Sequence, residues 1–305
     1  VTLLKPASGA PPPLEVVLGS AAGVAEDFLV LGYSKDYDRL ASAKQPEQDQ
    51  STFILRFLRR ERKLIRILPQ RLNDLWQGAA GRAYAVGEPR GIVQVSSDAV
   101  TEESIEGARG TFASIWGPSE EHVFTCGHYS PFWLYRRSGR WHRLELPAET
   151  TGLWRVGGHH ERDVYAVSQT GQILHFDGQR VNQLDSPTTR WLVAIAAMPE
   201  GRMCLGGHQG VILFGDAKGW RTVDSGTDAP ILNLVSYRQG VCFVTPDGLW
   251  YFDGRQEPQR IAEQGGRWVS SVGGGLIVVN NQFSWLFDGQ DLFPLETLFS
   301  VDGLT

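Results

Sequence analysis

Residues 163–178, DVYAVSQTGQILHFDG, decide the fold. They read as two short strands, residues 164–167 and 172–176, joined by a turn at Gln169, Thr170 and Gly171 and closed by Asp177 and Gly178. The same order recurs at residues 122–135 (HVFTCGHYSPFWLY), 202–216 (RMCLGGHQGVILFGD), 240–254 (GVCFVTPDGLWYFDG) and 275–289 (GLIVVNNQFSWLFDG).

Each copy is preceded by one apolar strand and followed by another, which makes a unit of about forty residues with four short strands. The units open at Leu72 (LNDLWQG), Thr111 (TFASIWG), Thr150 (TTGLWRVGG), Arg190 (RWLVAIAA), Pro230 (PILNLVSYR) and Arg267 (RWVSSVGG). Residues 14–69 form a less regular first unit with a polar insertion at residues 35–50. A single four-stranded sheet of this kind leaves both faces half dry, and stacking sheets around an axis covers them. The expected fold is therefore all-β, a seven-bladed β-propeller of four-stranded antiparallel blades. It is expected as a single domain over residues 1–305, with blades near 14–69, 72–107, 110–147, 150–187, 190–226, 230–264 and 266–299. The ring closes either with DLFPLE at residues 291–296 or with a strand from residues 1–4. Large residues four apart head the units: Leu72 and Trp76, Phe112 and Trp116, Trp191 and Ile195, Ile231 and Val235, Trp268 and Val272. Period two places each pair on one face. Asp177-Gly178, Asp253-Gly254 and Asp288-Gly289 each follow an aromatic residue and predict tight turns before a fourth strand.

This order of strand, glycine turn, strand and Asp-Gly turn resembles the BNR-like and YVTN-type bacterial β-propeller repeats. The resemblance covers nearly the whole chain from about residue 14. It implies the fold and not an activity, since one scaffold hosts many functions. The Ser-x-Asp-x-Gly-x-Thr-Trp turns of a sialidase-like propeller do not occur. Gly-His and Trp-Asp pairs of the WD40 class are missing apart from Gly127-His128 and Gly207-His208.

A formal net charge of -5 argues against a general nucleic-acid or anionic-membrane partner. No apolar run reaches the length that spans a bilayer. Three cysteines fall inside the repeats: Cys204 and Cys242 match Tyr165, and Cys126 matches Val167 two residues on. They are expected on one face of equivalent strands, packed as small apolar residues. An odd count without Cys-x-x-Cys spacing fits a reducing compartment, and a start without a continuous apolar segment adds to an expected cytoplasmic location. The basic run RFLRRERKLIR at residues 56–66 reads as an exposed outer hairpin whose charges discourage edge pairing.

Candidate binding residues gather at blade ends. His128, with Tyr129 beside it, and His208 occupy matching turns between second and third strands, where Asp247 stands in the sixth blade. Two imidazoles fall short of a metal site, so no metal or cofactor is expected. Arg71, Arg190 and Arg267 each precede an innermost strand, the last two next to Trp191 and Trp268. Three guanidiniums around one mouth would suit a carboxylate, a phosphate or an acidic side chain of a partner. His159, His160 and Glu161 read as a polar loop at the opposite end. No nucleophile elbow, Walker loop or dinucleotide fingerprint is present.

These features point to a binding scaffold, monomeric apart from a protein partner, of an inhibitor or immunity type. Two other readings remain: an enzyme with an axial polar pocket, a hydrolase or lyase for an anionic substrate, and a structural subunit of a larger assembly.

Overall fold

Apolar side chains on both faces of a strand demand a neighbour on each side, and seven sheets stacked around one axis supply them. The computed structural model describes residues 16–24, 27–34, 52–58, 61–88, 91–96, 99–103, 105, 110–128, 132–280 and 284–295. Residues 1–4, the insertion at 35–50 and Tyr129 lie outside them. The described strands, β1 to β28 in chain order, form seven antiparallel sheets of four consecutive strands each. The protein is a seven-bladed β-propeller.

The first strand of every sheet is innermost. These are β1 (Val16–Val24), β5 (Leu72–Gln77), β9 (Thr111–Ser119), β13 (Leu153–His160), β17 (Leu192–Met198), β21 (Asn233–Tyr237) and β25 (Trp268–Val272). Each lies beside the next, and β25 lies beside β1, which closes the ring. Ala21 N–H donates to Ser270 Oγ across that closure at 3.2 Å. Blade seven ends in its own fourth strand, β28 (Leu292–Pro294), paired with β27 (Ser284–Phe287).

Alternation along the second strands divides each blade between two interfaces. In β14 (Asp163–Ser168), Val164 and Ala166 join the core shared with blade three, while Tyr165 and Val167 join the core shared with blade five. Seven such cores fill the seven interfaces. Each fully buried Val, Leu, Ile or Phe contributes about 1.5–3 kcal/mol, so these cores outweigh surface ion pairs worth about 0–1 kcal/mol. All three cysteines are buried and free, each facing the next blade in order. Burial pushes their thiols up, Cys242 to about 12, so they pack as neutral groups.

The pairs four apart do not all share a face. Leu72 packs between blades one and two and Trp76 between two and three; Phe112 and Trp116 are split in the same way one blade on. A β-bulge near the head of β5, β9, β13 and β17 inserts one residue and reverses the side chains that follow. Blade seven has an unbroken register there, and Trp268 and Val272 stay on one face.

The Asp-Gly turns form as expected. The Oδ1 atoms of Asp177, Asp253 and Asp288 each accept two backbone N–H groups from the turn, and Gly178, Gly254 and Gly289 take positive φ. Those backbone bonds hold all three carboxyls below their ordinary value. The basic run lies on the hairpin of β3 (Thr52–Leu58) and β4 (Glu61–Leu68), where Arg56 forks onto Asp27 at 2.6 and 2.7 Å.

Gly171 and Gly201 separate backbone strain from steric exclusion. Both have positive φ, but a Cβ on Gly171 meets the Thr188 carbonyl oxygen, whereas one on Gly201 meets nothing. Gly201→Ala is expected to cost about 1 kcal/mol, the left-handed penalty alone, and Gly171→Ala at least about twice that, because the neighbouring loop must move as well. Urea unfolding of the two variants measures the difference, and equal costs would contradict it.

Candidate binding site at the channel mouth

Strand one begins and strand two ends at the same rim, so the heads of the inner strands and the turns after the second strands share one mouth. The bulges act here. They place Asp74, Ser114, Arg155 and Ala194 at equivalent positions, just past the irregularity. Asp74 is 7% exposed. Its Oδ1 accepts from Ser20 Oγ of blade one and from its neighbour Leu75 N–H, at 3.1 and 3.0 Å. Its Oδ2 accepts from Ser114 Oγ and Ile115 N–H of blade three and from Arg155 Nη1 of blade four, at 2.9, 3.1 and 2.8 Å. The Arg155 guanidinium then lies 4.8 Å from the ring centre of Trp268 in blade seven. Blades four and seven stand across the ring from one another, so this contact marks the axis and floors the mouth.

Above that floor, aromatic rings run along the rim of blades three to five. His128, 8% exposed, stacks on Trp154 with centroids 4.3 Å apart and planes 6° from parallel. Trp154 stacks in turn on Trp191 at 5.7 Å, and Trp191 meets His208 at 4.9 Å. Burial holds the His128 imidazole below its ordinary value, which favours the neutral ring against the indole. Trp191 keeps 41% of its surface open. Its carbonyl accepts from His208 N–H at 2.9 Å, and the His208–Gly210 turn places Gln209 at φ 56° with its carbonyl 3.4 Å from Arg190 Nη1.

The structure thus brings together four of the expected residues, His128, His208, Trp191 and Arg190, and adds Trp154. Trp268 joins from across the axis through Arg155. Arg71 and Arg267 stand directly before β5 and β25, but Arg190 is one residue further out, since β17 begins at Leu192. Asp247 is engaged locally, its Oδ1 accepting from Thr245 Oγ1 at 2.6 Å and its carbonyl from Arg260. Asp74, Arg155 and Trp154 were missed by the sequence reading. A charged residue inside an otherwise apolar inner strand, where other copies carry Ser114 or Ala194, is the signal that would have found the first two.

At the opposite rim His159 and His160 of the expected polar loop are instead the end of β13, and Glu161 stands in the turn that follows. His159 Nδ1 lies 2.9 Å from Asp163 Oδ2 and its Nε2 lies 3.1 Å from the Met198 carbonyl of blade five. Both neighbours are acceptors, so the ring satisfies both only as an imidazolium. His175 Nε2 takes the other Asp163 oxygen at 2.8 Å. The bond to Asp163 holds His159 above its ordinary value against burial, and the Met198 carbonyl adds to it. Burial alone would raise the Asp163 carboxyl, but the two histidines outweigh it and hold it well below the usual range. Among the described residues no group of three or more His, Cys, Asp or Glu side chains has a metal-binding arrangement.

No protein-family model matches the chain. The immune protein Tsi7 of Pseudomonas aeruginosa is 26% identical over 158 residues, a match covering 49% of this chain and 50% of that protein. The chain therefore spans about half the length of the curated relative it matches. Among solved structures, a catalytically inactive virginiamycin B lyase from Staphylococcus aureus with quinupristin superposes with a TM-score of 0.70 at 9% identity, over 88% of this chain and 96% of that one. The WD40 β-propeller domain of Doa1 gives 0.68 at 12% identity over 94% and 96%. YCF48 bound to D1 peptide gives 0.59 at 10% identity over 74% and 81%. At these identities the likeness is one of fold.

The His159 clasp carries a sign. A group raised in the folded state contributes fully below its unfolded value of about 6.5 and loses that contribution as pH rises through its higher folded value. The stability gap between the unaltered protein and His159→Gln should be widest near about pH 6 and should narrow by about pH 9. Thermal melts at the two pH values check this; a constant gap would refute the imidazolium assignment.

Proposed function

We propose that the chain is a binding scaffold that grips a protein partner at the channel mouth. The observation carrying this reading is the company of three indoles, Trp154, Trp191 and Trp268, with the guanidiniums of Arg155 and Arg190 at one end of the axis. Trp and Arg are the residue types that dominate the energetics of protein interfaces, above all where a stiff frame holds them. Inner strands carry Trp154, Arg155 and Trp268, Trp191 and Arg190 stand just before β17, and the stacked rings and the Asp74 bonds orient them.

The finer role is neutralisation of that partner, in the manner of an immunity protein. The partial likeness to Tsi7, named as an immune protein, supports it. The repeats are read as BNR-like, and the protein as cytoplasmic and monomeric until it meets its partner.

Trp191 tests this most simply, because its open ring contributes little to the core. With the partner captured from the native host, Trp191→Ala is expected to weaken binding by about 2 kcal/mol, roughly thirtyfold, with an unchanged melting temperature. Lys218→Ala, an exposed change on the opposite rim, should leave affinity as it is. Calorimetric titration reads both, and an unaltered affinity for Trp191→Ala would remove the mouth from the interface.

A further inference from the structure

Arg155 is the most enclosed cation of the mouth, with the residue 9% exposed and its side chain keeping 11% of its surface open. A guanidinium carries five N–H donors. Among the described residues Arg155 has one hydrogen-bonded acceptor, Asp74, reached through Nη1, and its guanidinium carbon lies 4.8 Å from the Trp268 ring centre. Ser20, Leu75, Ser114 and Ile115 also donate to Asp74, so the pair takes up one of the guanidinium's nitrogens and leaves the others. Arg155 is therefore oriented by its neighbours and keeps donors in surplus. Such a fixed fork matches the two oxygens of a carboxylate.

The charges around it favour the same occupant. Among the described inner strands, Asp74 and Arg155 are the one Asp or Glu and the one Arg or Lys. Arg71 and Arg267 directly precede two of those strands, and Arg190 stands two residues before a third. Among the described residues within two positions before an inner strand these three are the charged ones, while Glu88 and Asp247 stand further out in the turns of the same rim, so the charge nearest the axis is positive and favours an acidic group there. The low exposure of Arg155 strengthens whatever charged bond forms there.

We propose that Arg155 anchors a carboxylate side chain, Asp or Glu, that a protein partner inserts into the mouth. This rests on the reading of the mouth as a protein-binding site and adds the chemistry of the group that enters.

The test uses a blocked tripeptide, acetyl-Gly-Asp-Gly-amide, and its Asn counterpart, titrated into the full chain. The readout is the Arg155 Nε–Hε resonance, assigned by its loss in Arg155→Lys. The Asp peptide should shift it saturably and the Asn peptide should not. Arg155→Lys, a point charge without the fork, should weaken the Asp peptide about tenfold. Should that variant fail to fold, through-bond assignment of the Arg155 side chain replaces it, and the titration of the unaltered protein still decides. An Arg155 resonance indifferent to the Asp peptide, or moved equally by both peptides, overturns the proposal. Its failure is separable from that of the wider reading. A captured partner that binds Arg155→Lys and the unaltered protein equally well leaves the scaffold standing and removes the anchor. A protein that binds the Asp peptide at Arg155 but captures no partner keeps the anchor and loses the scaffold.

Discussion

The Asp74 carboxylate accepts four hydrogen bonds from three other blades and a fifth from its own neighbour Leu75, and the axis is organised around it. A buried carboxylate without partners would cost several kcal/mol, so the bulges that swing Ser114 and Arg155 into reach are a condition of having an acid there at all. Once satisfied, the group fixes what surrounds it. Arg155 is held by Asp74 on one side and meets the Trp268 ring from across the axis on the other. The apolar cores between blades supply most of the stabilising energy but are nearly interchangeable around the ring. This polar knot, by contrast, makes blades one to four and seven differ from five and six.

The two rims are built by different chemistry. At the mouth, rings from blades three, four and five lean on one another in a row from the enclosed His128 to His208, with the open Trp191 between. At the far rim, Asp163 gathers two imidazoles and ties blade four to blade five through the Met198 carbonyl. The first arrangement leaves surface for a partner; the second spends its polar atoms internally.

Architecture was legible because it repeats. Five copies of one alternating pattern, with two looser units ahead of them, state the blade, and Asp-Gly turns such as Asp177-Gly178 mark where the fourth strand begins. Face assignment failed at Leu72 and Trp76 because a bulge is a one-residue event inside a strand, and period-two reasoning carries straight through it. The site was half legible for a related reason. His128, His208, Trp191 and Arg190 stand at recognisable turns and strand heads. Asp74 and Arg155 are single residues in inner strands whose meaning depends on blades far apart in sequence coming together. His159 was taken for a loop residue because β13 (Leu153–His160) runs two residues past Gly158, where the repeated pattern of the sequence stops, and reaches the far rim.

The dependence of the axis on Asp74 is measured most directly by urea unfolding of Asp74→Ala with hydrogen exchange on the inner strands. Removing one partner of a buried ion pair should cost about 3–5 kcal/mol, with protection lost first in β1, β5, β9 and β13. A cost under about 1 kcal/mol, the value of a surface pair, with protection unchanged in those four strands, would contradict the account.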